Sequence, residues 1–81
     1  MQEPLTLDQL APGHSATVLE VEGDDAIARR ISDLGLWPGA SVSVVRRAPL
    51  GDPIQVRIGG YHLALRRVEG RRVRLVSERE G

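Results

Sequence analysis

The chain has 81 residues with eleven basic and eleven acidic side chains, so its formal net charge is zero. Apolar residues make up 41% and charged residues 27%, the balance of one small folded domain and not of a disordered segment. The absence of cysteine excludes disulfides, thiol nucleophiles and thiolate metal sites, and no run approaches the roughly 18 apolar residues of a membrane-spanning helix.

There is no phenylalanine, so the core must be aliphatic. Burying one aliphatic side chain contributes about 1.5–3 kcal/mol, against about 1.5 kcal/mol to order each residue, so modest stability is expected. All the basic residues are arginine, a bias that touches every exposed position alike and so marks composition more than a site. The opening MQEPLTLDQL carries acids and no cationic segment, unlike a secretion signal, and a cytoplasmic protein is expected.

In chain order, Leu5 to Leu10 reads as one short helical turn. Thr6 and Gln9 have capping-box spacing, Leu7 and Leu10 share a face, and Ala11-Pro12-Gly13 ends the turn. Ser15 to Val21 predicts a strand with Ala16, Val18 and Val21 inward. Strict alternation would bury Glu20, so a bulge or bend is expected there. Glu22-Gly23-Asp24-Asp25 hands over to a helix from about Asp25 to Leu34, where an aspartate can cap the first amides. Ile27, Ile31 and Leu34 recur at i, i+4 and i+7 and mark its core face. Gly35 reads as the left-handed residue that stops the helix, Leu36 as the residue folding back, and Pro38-Gly39 as the turn into a strand.

Ser41 to Arg47 predicts that strand, with Val42 and Val44 on one face and Val45 on the other. Ala48 to Pro53 is a loop with prolines at 49 and 53. Ile54, Val56 and Ile58 alternate with Gln55 and Arg57 in a half-buried strand, and Gly59-Gly60 reads as a hairpin turn. Tyr61, Leu63 and Leu65 are the expected inward positions of the next strand, with His62 and Ala64 opposite. A turn follows near Arg67 to Gly70, then a last strand at Val73 and Leu75, then a frayed tail over residues 76–81. Residues 1–81 thus form one all-β domain of five strands with one inserted helix, closed or nearly closed into a small SH3-like or OB-like barrel, because closure removes exposed edges.

The run from Ile31 through Pro53, with LGLWPG, the valine-rich strand and RRAPLGDPI, resembles the ferrous-iron transport protein A family. Leu63-Ala64-Leu65-Arg66, the closing Val73-Arg74-Leu75 and the opening Leu7, Leu10 and Gly13 fit the same pattern, so the resemblance covers nearly the whole chain. It implies a cytosolic SH3-like barrel with a helix after the first strand. It also implies a non-enzymatic accessory that binds the bacterial ferrous-iron transporter, a membrane protein with a cytosolic GTPase domain, and modulates uptake. The membrane is then reached only through that partner. The same fold forms the C-terminal module of metal-dependent repressors, which leaves a repressor-related stand-alone module as an alternative.

Neither His14 nor His62 stands in a metal-ligand spacing, so no metal site and no cofactor are expected. Catalysis lacks a nucleophile with a base, a Walker lysine and a phosphate loop, so the chain is not read as an enzyme. An arginine acting in trans on a partner GTPase is a further expectation to test, with Arg30, Arg46 and Arg66 as candidates alongside Arg29, Arg47 and Arg67. Nucleic-acid binding, the runner-up class, wants a basic face and aromatic platforms, and the only aromatics are Trp37 and Tyr61. The same shortage argues against an aromatic groove for proline-rich peptides. A protein–protein surface remains. Its expected residues are Leu36, Trp37, Arg47, Pro49, Leu50, Asp52 and Pro53, with Ile31, Leu34, Gly35, Pro38 and Gly39 as the structural frame. Weak self-association through the same apolar loops is also expected.

Overall fold

A computed structural model describes residues 5–76. The order of elements is β1 (Leu5–Thr6), a 3-10 turn (Leu7–Gln9), β2 (Ser15–Val21), α1 (Ala26–Asp33), β3 (Ser41–Arg47), β4 (Ile54–Ile58), β5 (Tyr61–Leu65), α2 (Arg67–Gly70) and β6 (Val73–Leu75). Six strands form one antiparallel sheet in the order β1-β6-β2-β3-β4-β5. One apolar cluster takes Leu65 of β5, at one end of that order, and Leu75 of β6, with Leu5 of β1 at the other end packed against it, so the sheet wraps around a single core. This is a mostly-β fold, one wrapped sheet with short helices in its connections.

Alternation fixes which side chains enter. Val42 and Val44 of β3, and Ile54, Val56 and Ile58 of β4, are buried, while Gln55 and Arg57 between them are not. β2 changes partner midway: Ser15 to Thr17 pair with β3, and Val18 to Val21 pair with β6. The register shifts between Val18 and Glu20, the bulge that the misplaced glutamate requires.

Several expectations are corrected. There are six strands, because Leu5 and Thr6 pair with Leu75 and Arg74 before the chain turns at Leu7. Gln9 Oε1 still accepts from the Thr6 N–H at 3.3 Å, closing the expected turn from one side. The segment Arg67–Gly70 is a short helix. Ile27 is 46% exposed, and Ala28 takes the inner place beside Ile31. Tyr61 is also outside, 48% exposed. Val76 is not frayed, since its N–H donates to Thr17 O at 2.8 Å; the rest of the expected tail lies outside the described residues.

Helix α1 is capped as its sequence demands. The Asp25 carboxylate accepts from the Ala28 N–H at 3.1 Å and also receives the Arg72 guanidinium at 2.8 and 3.0 Å. At the other end Gly35 has φ +105°, the left-handed stop, and its N–H donates to Ser32 O.

Candidate functional site

The loop between β3 and β4 is built to hold its shape without burying its tip. Its base is closed by the Ala48 N–H donating to Pro53 O at 3.0 Å, and its middle by the Gly51 N–H donating to Ala48 O at 2.7 Å. The Asp52 carboxylate accepts from the Arg67 N–H at 3.0 Å, which fastens the loop to the start of α2, and the Asp52–Pro53 peptide is cis. Leu50, at the tip, is 90% exposed, and Val68 on α2 is another exposed apolar side chain on this side.

Beside the loop base, on the outer face of the sheet, lies a shallow depression lined by Arg46, Ala48, Pro53, Gln55 and Ala64. Its volume of about 130 Å³ is well below the roughly 300–1,000 Å³ of small-molecule sites. It suits one side chain of a partner and not a nucleotide. Register explains its position: Arg46 pairs with Gln55 and Gln55 with Ala64, so the three form one outward row across β3, β4 and β5. Ala64 is the small residue that leaves the space.

Trp37 occupies a different place. It is 60% exposed in the connection from α1 to β3, where its carbonyl accepts from Ala40 N–H at 2.9 Å. The Gly39 N–H donates to Val18 O and the Val18 N–H to Ala40 O, both at 2.8 Å, so this turn extends the β2–β3 ladder. Trp37 and Leu50 therefore stand off opposite ends of β3, a seven-residue strand of roughly 20 Å. They belong to separate surfaces, not to one patch. Tyr61 shares Trp37's end: its hydroxyl donates to Leu34 O at the end of α1.

The structure gives two residues of the expected surface other work. Leu36 is fully buried in the core, drawn in where the chain folds back after Gly35. Arg47 is half-buried, and its Nη2 donates to Asp8 O and Leu10 O, each at 2.7 Å, bracing the N-terminal turn. Pro49, Leu50, Asp52 and Pro53 stay together in the exposed loop. Among the arginines considered for action in trans, Arg30 is engaged by Glu69, while Arg46 and Arg66 are exposed and form no ion pair among the described residues, although the Arg66 charge still favours the Glu69 carboxylate. Reasoning from sequence missed Glu69, a buried acid in the β5–β6 connection, although its place three residues after Arg66 is a capping-box spacing. Among the described residues no three His, Asp or Glu side chains converge on a metal-sized space. No helix there is long and apolar enough to cross a membrane.

Residues 5–77 match the family model of the FeoA domain. A curated relative, the Fe(2+) transport protein A/Fe(2+) transporter FeoB fusion protein of Porphyromonas gingivalis, is 35% identical over 69 residues, or 85% of this chain. The chain spans about 8% of that relative's length. The crystal structure of Stenotrophomonas maltophilia FeoA complexed with zinc is similar with a TM-score of 0.79 and 38% identity, covering 89% of each chain. The solution structure of a FeoA-like protein from Clostridium acetobutylicum has a TM-score of 0.87 and 27% identity, covering 100% of this chain and 94% of that one.

Proposed function

The chain belongs to the FeoA domain family, and from that membership we propose that it is a non-enzymatic accessory that binds a membrane ferrous-iron transporter and modulates its uptake. The fusion relative carries this reading, because there one polypeptide joins a similar segment to the transporter FeoB. Covalent linkage raises the effective concentration of the two parts without requiring a strong contact. A contact with the transporter needs a surface that binds, and the exposure of Leu50 on a β3–β4 loop held by its own hydrogen bonds supports that loop as the candidate. Because the loop is held by its own hydrogen bonds, little ordering cost opposes docking. In this reading the chain works in the cytoplasm and meets the membrane through its partner.

The test is co-purification of the tagged chain with the detergent-solubilised transporter of the same organism. Retention of the transporter by wild type above an untagged control supports the reading. Equal background in both sinks it.

A further inference from the structure

The zero net charge of the chain conceals an uneven distribution. Residues 41–67 hold Arg46, Arg47, Arg57, Arg66 and Arg67 against Asp52 alone, a net of +4. β3, β4 and β5 themselves contain no acidic residue. Outside this segment most arginines are matched: Arg30 to Glu69, Arg71 to Asp8, Arg72 to Asp25, and Arg74 to Glu20 and Glu22. Among the described residues Arg46, Arg57, Arg66 and Arg67 face no carboxylate side chain within ion-pair distance. The sole local acid, Asp52, is turned to the Arg67 N–H.

Two of these cations, Arg46 and Arg57, stand on the outer face of the sheet. The row Arg46–Gln55–Ala64 is followed by the row Ser43–Arg57–His62, two residues along β4 and β5 and three along β3, where the register shifts between Val44 and Arg46. Successive rows on one face of a sheet are about 7 Å apart, the spacing of alternate side chains in an extended chain. The depression beside Pro53 and Ala64 lies in the first row. The guanidinium of Arg46 and the amide of Gln55 can donate to a carboxylate, and the alanines and Pro53 accept an aliphatic group.

We propose that the outer face of β3–β5 is a docking track for an extended acidic segment of a protein partner. Carboxylates two residues apart lie over Arg46 and Arg57, and an aliphatic side chain sits in the Pro53–Ala64 depression. An anionic bilayer would meet cations ringed around an inserting tip. Here Arg46 and Arg57 stand on neighbouring strands in successive rows of one sheet face, beside a side-chain-sized hollow, and an extended polypeptide matches that layout. Identifying the segment with the transporter rests on the function proposed above; the chemistry of the track does not.

The probe is a fluorescein-labelled decapeptide with serine at every second position and glutamate between, one glutamate replaced by leucine, so that carboxylates and an aliphatic group share one face of the extended chain; it is titrated into the full chain and followed by anisotropy. The same peptide with lysine for glutamate and phosphatidylglycerol vesicles serve as comparisons. The glutamate peptide should bind, weaken with added salt, and lose about tenfold or more in affinity to the Arg46→Glu/Arg57→Glu variant. Ala64→Phe, which fills the hollow, should weaken it too, while Trp37→Ala should not. Matching thermal unfolding of the variants excludes misfolding. Equal binding of the acidic and basic peptides, or an unchanged affinity in the double variant, overturns the proposal. So does retention by the vesicles, lost in that variant, with no peptide binding. Peptide binding without transporter capture would uphold the track and discard the transporter as its partner.

Discussion

Arg30 of α1 donates to the carboxylate of Glu69, the buried acid of α2. The other oxygen of Glu69 accepts from the Arg66 N–H at 2.8 Å, so one side chain closes the first turn of α2 and ties the inserted helix to the β5–β6 connection. Removing it strands a backbone donor and leaves a small void. Glu69→Ala should therefore lower unfolding free energy by about 1–3 kcal/mol. Glu69→Gln, which can still accept from Arg66, should lose less. Denaturant unfolding of both variants checks this, and equal losses would mean that the bond to Arg66 is not the important one.

Acid sensitivity follows from the same carboxylate and from Asp25. Asp25 is held at about 2 against an ordinary 3.8, first by the Arg72 hydrogen bond and then by the Ala28 N–H. For Glu69 burial opposes ionisation, yet the Arg66 N–H and the Arg30 guanidinium outweigh it and hold the carboxyl below its ordinary 4.5. A group with a lowered folded value contributes fully above its unfolded value, and that contribution is lost as pH falls through the folded value. Stability should thus hold steady above about 4.5 and decline from there toward about 2. The denaturant midpoint followed down that range tests this. Asp25→Asn, which keeps a cap but not the charge, should give a shallower decline.

Much of this fold is legible in the sequence, because period-2 alternation and glycine or proline stops act locally. The helix cap at Asp25, the stop at Gly35 and the strands at 41–47 and 54–58 follow from neighbours a few residues away. What was not legible depends on distant partners. Ile27 fits the helical period as well as Ala28 does, and only the way the helix lies against the sheet decides that Ala28 is covered and Ile27 exposed. Glu69 looks like any surface acid until Arg30, 39 positions earlier, reaches it. The outer row of Arg46, Gln55 and Ala64 exists only once the register of three strands is known. Leu36 and Trp37 are adjacent apolar residues, and their opposite fates follow from the reversal after Gly35.

That reversal is itself testable. At Gly35 a Cβ would meet Tyr61 Oη at 2.8 Å, in a backbone conformation with φ +105° that side-chain-bearing residues rarely adopt. Gly35→Ala should cost about 1–3 kcal/mol from the backbone alone, with more from displacing the tyrosine. Gly39→Ala is the control, since φ there is +95° but nothing lies within 4 Å of the new Cβ. Tyr61→Phe removes the hydroxyl and its bond to Leu34 O. In that background Gly35→Ala should cost less than in wild type, and a double-mutant cycle measures the difference. Strict additivity would mean that the tyrosine yields freely.

Leu50 gives the sharpest separation of folding from binding. Its side chain is 90% exposed, and the loop beneath it is fastened by Ala48, Gly51 and Asp52 through groups that Leu50 does not supply. Leu50→Asp should therefore shift unfolding free energy by no more than about 0.5 kcal/mol, whereas Leu36→Ala, in the core, should cost about 2–5 kcal/mol. If the loop docks on the transporter, Leu50→Asp should abolish co-purification while leaving the unfolding midpoint in place, because an apolar contact is replaced by an unpaired charge. Trp37→Ala, off the other end of β3, probes a separate contact and should change capture independently. A Leu50→Asp protein that unfolds normally and still retains the transporter would move the docking surface away from this loop.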